Sequence, residues 1–438
     1  MELDRFDIGL IGIGVALVLM ILRTPIGVVL GLVSFGGIAV LTSTQAAWSI
    51  LTSIPFSFIT NWNLSAVPMF LLMGYIASQA GLTSGLFSAA RMFLARTPGG
   101  LASSTVIASA LFASASGSSV ATAAAFSRIA VPEMLKSKYD PGLACGSVAA
   151  SGTLGSLIPP SILMILYGIF TETSISQLFL AGVIPGIVSA AIYIAMITLR
   201  ARVNPALAPV SDERHGWGEK LGALRDTWPL PALIIGVMGG IFLGWFTPTE
   251  AGAIGASMAC LLAVIRGSLR WSVLRKALID TAEGTCTIFI IAIGAAMFAR
   301  FLNLSRVPNE LADILLPIAS DPVTLIVMLG LLFIILGMFV ESISLMLLVI
   351  PIATPLLEAL DVNLLWFGII MIKLLEIGLI TPPIGLNVFV MRSALGSEVP
   401  LTTMFRGTFW FLGMDIVTLA LLIAVPGLVL WLPHLMTP

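Results

Sequence analysis

Two clusters of hydroxyl-bearing and small residues are placed where chemistry is possible. One comprises Ser114, Ser116, Gly117, Ser118 and Ser119, followed downstream by Gly155 and the Pro159–Pro160 pair. The other comprises Val340, Glu341, Ser342 and Ser344, followed by Gly378, Thr381 and the Pro382–Pro383 pair. Hydroxyl and carbonyl oxygens at a helix end can replace the water shell of a small cation such as sodium, while opposing helix N-termini favour an anion. Glycine lets an ion or ligand approach the backbone, and paired prolines keep the following helix from closing the gap. Small residues also permit tight helix packing in membranes. The recurrence of one arrangement in both halves of the chain favours an ion or substrate site over packing alone.

That recurrence has a fixed spacing. The two proline pairs lie 223 positions apart, and the same offset relates Gly155 to Gly378, Pro132 to Pro355, and Thr24–Pro25 to Thr247–Pro248. The chain is therefore a duplicated unit in which a helix is interrupted at the corresponding place in each copy. Paired interruptions of this kind point to the binding site of a secondary transporter.

Composition places the elements in a bilayer. Apolar residues make up 58% of the 438 positions and charged residues 10%, too little charge to cover a soluble domain of this size. Stretches near 8–22, 26–41, 178–199, 229–246, 249–265, 323–340 and 408–432 are long and apolar enough to be spans. The first follows Glu2, Asp4, Arg5 and Asp7, lacks a basic leader and reaches Arg23, so a retained helix is expected rather than a cleaved signal. A net charge of −1 argues against nucleic acid as a partner. Cys145, Cys260 and Cys286 lack metal-ligand spacing and are expected to pack in helices. With only His215 and His434, a histidine-based catalytic centre is not expected.

Lys and Arg mark the cytoplasmic side. If the group Arg91 and Arg96 and the group Arg128, Lys136 and Lys138 both lie there, residues 101–127 enter and leave on one face as a re-entrant hairpin. Residues 144–170 then cross outward through the first break and 178–199 return, which puts Arg200, Arg202, Arg214, Lys220 and Arg225 inside. Two further spans meet at Thr247–Pro248 and return to a basic loop with Arg266, Arg270, Arg275 and Lys276. In the second copy 280–300 cross outward, 323–357 fold into a hairpin around VESIS entered from outside, 364–391 cross inward, and 408–432 cross outward. An odd number of crossings per copy makes the repeats inverted, with both chain termini periplasmic.

The fold expected is an all-α polytopic membrane protein of two inverted-topology repeats with re-entrant hairpins and discontinuous helices. Repeat one covers about 1–200, a cytoplasmic linker 201–227, and repeat two about 228–438; the transport elements are 97–170 and 320–395, and the remainder is scaffold. Segments 44–60 and 268–280, with Trp48 and Trp271, are expected as matched arms along the interface. Among ionisable residues, Glu341 either lines a substrate path or faces water. Lys373 and Glu376, three apart, form either a structural ion pair or a proton relay. Glu250 follows Thr247–Pro248 in a first helical turn, where a capping role is the default.

The wording of the motifs carries a resemblance. GSSVATAAAFSRIAVPEM, GTLGSLIPPSILMILYG and FLAGVIPG, with FTPTEAGAIGA and KLLEIGLITPPIGLNVFV in the second half, resemble the large membrane subunit of tripartite ATP-independent periplasmic (TRAP) transporters, the DctM type, over nearly the whole chain. The acidic hairpin residue departs from that pattern, being Glu341 where Asp is more usual. The resemblance implies an elevator in which a body of hairpins and broken helices slides against a scaffold. It implies one sodium ion held by Ser116, Gly117, Ser118 and Ser119 with Gly152, Thr153, Gly155 and Pro159, and a second held by Val340, Glu341 and Ser342 with Gly378, Thr381 and Pro382. The substrate, an organic anion such as a carboxylate or sialate, would lie between the tips near Ser119, Thr122, Ser161, Ser344 and Asn387. The resemblance also implies a small four-helix membrane subunit as a separate chain, a periplasmic solute-binding protein, and residence in the bacterial inner membrane among its lipids.

No nucleotide is expected, since the chain has no GxxxxGK[ST] sequence. Two sodium ions moving with one monoanion would gain about 5 kcal/mol from ~100 mV and a tenfold gradient. The alternatives are a stand-alone anion symporter or antiporter of the same superfamily, a channel, and an intramembrane hydrolase using a hydroxyl of Ser114–Ser119.

Overall fold

A computed structural model of the chain describes residues 4–22, 24–210, 216–319 and 321–435. Glu2, Arg23, Arg214 and His215 lie outside the described residues. Twenty-one α-helices and no strand are found among those described. The first repeat comprises α1 (Arg5–Ile21), α2 (Ile26–Leu41), α3 (Thr44–Ile59), α4 (Ala66–Gln79), α5 (Leu86–Leu94), α6 (Gly100–Ser116), α7 (Ser119–Lys136), α8 (Pro141–Leu157), α9 (Ile162–Phe170) and α10 (Ile175–Val203). The linker contains α11 (Trp217–Thr227). The second repeat comprises α12 (Pro229–Phe242), α13 (Pro248–Ile265), α14 (Trp271–Leu304), α15 (Val307–Leu315), α16 (Pro322–Gly337), α17 (Ser342–Ala359), α18 (Leu364–Ile380), α19 (Leu386–Leu395) and α20 (Leu401–Ala424), with α21 (Gly427–His434) after it.

The duplication extends to the start and stop signals. Helices α7 and α17, and α8 and α18, have boundaries displaced by the same 223 residues. Their caps correspond as well. Asp140 accepts the Leu143 N–H at 2.8 Å at the start of α8, and Asn363 accepts that of Trp366 at 3.1 Å at the start of α18. Such caps satisfy amide groups that the helix itself leaves unbonded. Thr247 and Glu250 form a reciprocal capping box on α13, so the capping role expected of Glu250 is the one observed.

Packing exchanges between the copies. Helix α2 lies on α14, and its counterpart α13 lies on α4; α20 lies on α8, and α10 on α18; α19 lies on α7, and α9 on α17. This reciprocity is that of a twofold-related pair, as two inverted-topology repeats require. Glycine permits the closest crossings. A Cβ on Gly294 of α14 would stand 2.4 Å from the Gly27 carbonyl oxygen of α2, and one on Gly407 of α20 would stand 1.9 Å from that of Gly142 on α8.

Helices α8 and α9 meet at 41° across the first double proline. The residues just before the prolines, Ile158 and Thr381, are extended with ψ of 123° and 132°. Proline Cδ disfavours the helical conformation in the residue it follows. Both Pro–Pro peptide bonds are cis. The re-entrant hairpins are α6–α7 and α16–α17, the arms of each packed together.

Several expected boundaries are corrected. The second arm of the first hairpin runs past 127 to Lys136, because Arg128 lies exposed on the face of α7 and does not end it. Segment 268–280 is no separate arm: Trp271–Leu304 is one helix of 34 residues, with no proline to interrupt it. Its counterpart in the first copy is bent by 59° between α3 and the Trp62–Gln79 segment, where Asn61 bonds the Asn63 amide and starts a new turn. The last apolar stretch divides into α20 and α21, since Pro426 has no N–H with which to continue the helix. Cys145 is buried, whereas Cys286 is exposed on α14 and does not pack inside.

Among the described residues, five helices are long and apolar enough to cross a membrane, or up to seven if each bent pair is one span. The outward faces carry Val18, Leu32, Val40, Ile187, Ile235 and Leu331, all exposed, as a lipid-facing surface requires. Trp48, Trp62, Trp245 and Trp271 are exposed as well, and indole side chains favour the membrane–water boundary. Substituting Gly294→Leu should force α2 from α14 and lower the thermal midpoint of the detergent-purified protein by several degrees, overpacking costing about 1–3 kcal/mol. Gly31→Leu, where a Cβ meets nothing within 4 Å, is the control and should leave the midpoint within about a degree.

Candidate functional site

The first site grows from what two prolines remove. In α8 the carbonyls of Gly155 and Ser156 would accept from the N–H groups of residues 159 and 160, and both are proline. In α18 the carbonyls of Gly378 and Leu379 stand in the same relation to Pro382 and Pro383. Each broken helix therefore ends in carbonyl oxygens without their regular donors, at the negative end of its dipole, although the Gly378 carbonyl accepts the Thr381 N–H instead at 3.2 Å. Such an end suits a small hard cation, and oxygen is the donor type that sodium takes.

The tip of the first hairpin is pressed against this end. A Cβ on Gly155 would lie 2.9 Å from the Ser118 carbonyl oxygen, and one on Gly152 would lie 3.1 Å from that of Ser119. Only glycine lets the α6–α7 turn approach so closely. Gly117 terminates α6 in the left-handed region at φ +59°, and its missing Cβ faces the Pro160 carbonyl oxygen at 3.2 Å. Within the tip, Thr122 donates to the Ser118 carbonyl at 2.8 Å and its hydroxyl is 3.0 Å from that of Ser116. Ser118 caps α7 by accepting the Ala121 N–H at 3.4 Å.

The second tip repeats the plan with different side chains. Glu341 occupies the position equivalent to Ser118 and caps α17, accepting the Ser344 N–H at 3.3 Å and the Ser344 hydroxyl at 3.2 Å. A Cβ on Gly378 would lie 2.8 Å from the Gly337 backbone, so α16 touches α18 just before its break. The Ser342 hydroxyl is buried without a hydrogen-bond partner, and Thr381 donates to the Ile377 carbonyl at 2.6 Å.

Both tips converge on one small cavity of about 50 Å³. Gly117, Ser118, Ser119 and Ser156 line one side; Glu341, Ser342, Glu376 and Leu379 line the other. Of the residues expected at the substrate, Ser119 is in its wall. Thr122 and Ser344 are turned to their own hairpin turns, while Ser161 and Asn387 are buried on α9 and α19 outside the wall. The Ser161 hydroxyl and the Asn387 side-chain amide oxygen (Oδ1) are buried without partners. Val340 and Thr381 flank the second tip and break, as Ser116, Thr153 and Pro159 flank the first.

Lys373 and Glu376 do not form the expected pair. Lys373, fully buried, makes its ion pair with Asp415 of α20 and lies 3.4 Å from the Ser189 hydroxyl of α10. The Tyr193 hydroxyl donates to the same Asp415 oxygen and stands 3.4 Å from Thr153 of α8. Glu376 instead accepts the Ser119 hydroxyl at 2.5 Å. Lys373 and Glu376 thus serve different neighbours, the ammonium held by α10 and α20 and the carboxylate turned to the first tip. Asp415 and Tyr193 were not among the expected residues. The available signal was Asp415 itself, a lone carboxylate in the apolar run FLGMDIVTLALL, and an ionisable residue at membrane depth implies a partner.

A duplicated helical membrane protein with paired broken helices and re-entrant hairpins around a shared cavity is a secondary transporter. The profile of the family described as "Tripartite ATP-independent periplasmic transporter, DctM component" matches residues 13–428, and the chain belongs to that family. It is 36% identical to the C4-dicarboxylate TRAP transporter large permease protein DctM of Pseudomonas aeruginosa, covering 85% of this chain and 87% of that one. It is 32% identical to the sialic acid TRAP transporter large permease protein SiaM of Vibrio cholerae, over 86% and 87% of the two chains. Among solved structures, the Alcanivorax borkumensis YdaH transporter shares the fold with a TM-score of 0.63 at 16% identity, covering 88% of this chain and 90% of that one. The protein is accordingly a multi-pass membrane transport protein and not an enzyme.

Removing one member of the Lys373–Asp415 pair leaves a buried charge without its counterion, which costs about 3–5 kcal/mol. Asp415→Leu and Lys373→Met should each lower the thermal midpoint of the purified protein markedly, and the double variant should recover most of the loss. Additive losses in the double variant would show that the two side chains act separately.

Proposed function

We propose that this chain is the large permease of a sodium-driven importer of an organic anion carrying a carboxylate, working by an elevator movement in the bacterial inner membrane. A periplasmic binding protein delivers the anion, and a small four-helix membrane subunit accompanies the permease. The observation that carries this reading is the pair of proline-opened helix ends, each facing a hairpin tip, with one cavity between the tips.

Sodium enters as cargo. At the first break the Gly155 and Ser156 carbonyls and the Ser116–Ser119 turn supply oxygen donors. At the second, the Gly378 and Leu379 carbonyls and the unpartnered Ser342 hydroxyl do the same. The anion lies where the N-terminal ends of α7 and α17 approach the shared cavity, since both dipoles favour negative charge there. Cations at the two breaks offset the field of the carbonyl ends and so favour an anion beside them. For a monoanion, with one net charge and two ion gradients, the driving force is about 5 kcal/mol, which supports accumulation of several thousandfold.

The hairpins and broken helices pack on one another and on α10 and α20, while α2, α4, α13 and α14 form a second packed group. The two groups meet along α4–α6 and α14–α17. We take the first group as the moving body, with the buried Lys373–Asp415–Tyr193 cluster tying α10 and α20 to it. In this reading both termini lie in the periplasm, which the distribution of Lys and Arg favours.

In proteoliposomes holding both membrane subunits, with the binding protein outside, an imposed sodium gradient should drive uptake of a C4-dicarboxylate or a sialate. Gly155→Leu should abolish that uptake, and Ser118→Ala should reduce it severely, with membrane insertion intact in both. Uptake that proceeds equally well without the binding protein would instead identify a stand-alone anion symporter.

A further inference from the structure

Glu376 is the one carboxylate turned into the shared cavity from a broken helix, and its repeat counterpart at the equivalent position is Thr153. The side chain is almost wholly buried, at 1% exposure. One oxygen accepts the Ser119 hydroxyl at 2.5 Å, and the Ser156 hydroxyl lies 2.8 Å from that of Ser119. Since Ser119 gives its hydrogen to Glu376, Ser156 donates to Ser119. The other carboxylate oxygen, Oε1, has no hydrogen-bond partner. The nearest ammonium, Lys373 one turn earlier on α18, is engaged by Asp415 and Ser189. The remaining carboxylate in the cavity wall, Glu341, is occupied in capping α17.

An ionised carboxylate at this depth costs several kcal/mol unless a cation compensates it, and one hydroxyl donor is far from sufficient. Three oxygen groups of the kind sodium prefers, Glu376, Ser119 and Ser156, already meet at the edge of a cavity of about one ion's size. We infer that Glu376 with the Ser119 and Ser156 hydroxyls forms a further sodium-binding position, adjoining the one at the first break but using these hydroxyls where that one uses backbone carbonyls, and with its charge supplied by a carboxylate of one repeat only. This inference rests on the sodium-driven reading above and deepens it: sodium supplies the positive charge without which a carboxylate buried here is not ionised.

The test uses sodium alone. Binding of radioactive sodium to the detergent-purified permease is counted at saturation for the wild type, Glu376→Gln and Glu376→Asp, with the sodium-free thermal midpoint as a check on folding. The expected result is one ion fewer per protein in Glu376→Gln, and the full number at weaker affinity in Glu376→Asp. Equal numbers and affinities in wild type and Glu376→Gln overturn the inference. So does a loss of proton uptake at Glu376 with sodium binding unchanged, which would make the group a proton carrier. A wild type that binds no sodium at all defeats the parent reading instead, so the two failures are distinguishable. If Glu376→Gln does not yield folded protein, Ser156→Ala carries the test. Sodium affinity reduced about tenfold at an unchanged sodium-free midpoint supports the site, and unaltered affinity overturns it.

Discussion

Hydrocarbon offers no hydrogen bonds, so every backbone carbonyl within a bilayer must find a donor inside the protein or face a cavity or an ion. Pro159–Pro160 and Pro382–Pro383 each take two donors away from the preceding helix turn, at the depth where replacement is hardest. Much of the remaining architecture can be understood as a response. The last turns of both helices are buried in protein, although Pro383 and Ile384 beyond the second are exposed; a hairpin turn is folded down onto each; and Gly155 and Gly378 give up their side chains so that the contact is close. Duplication then brings two such ends to one cavity. The binding site proposed for cations and an anion would follow from where the carbonyl and amide ends of helices are left exposed to each other, with few charged side chains involved.

The charged residues that do lie inside divide the work. Lys373, Asp415 and Tyr193 satisfy one another among α18, α20 and α10, which makes them a tie between helices. Glu376 stands one turn away and faces the first tip through Ser119, so the two repeats are joined at the cavity itself. The exchanged packing of α2 on α14 and α13 on α4 keeps the outer group together by the same reciprocity. Symmetry accounts for the frame, and the departures from it, Glu341 opposite Ser118 and Glu376 opposite Thr153, both line the shared cavity.

Much of this was legible in the chain because it depends on local rules. Gly-x-x-x-Pro repeated at a constant offset locates both breaks, and Ser and Gly between apolar runs locate both turns. Capping by Asp140 and by Thr247 with Glu250 is likewise a matter of three-residue spacing. What local rules could not supply were partners brought in from distant helices. Spacing alone paired Lys373 with Glu376, yet a buried lysine goes to whichever carboxylate the packing presents, and that was Asp415, 42 residues away. The end of the first hairpin was misplaced for a similar reason, since Arg128 marks an exposed face of α7 and not its terminus. The continuous α14 and the bent α3–α4 pair occupy equivalent places, and only the tertiary frame decides which copy bends.

The central claim is that the proline-freed carbonyls of α8 and α18 hold sodium against the hairpin tips. Electron cryomicroscopy of the complex in sodium chloride and in choline chloride would test it most directly. The account predicts compact density at both helix ends, beside Ser118 and beside Ser342, that is present in sodium and lost in choline. Helices wound continuously through either double proline, or helix ends that look the same in both salts, would contradict it.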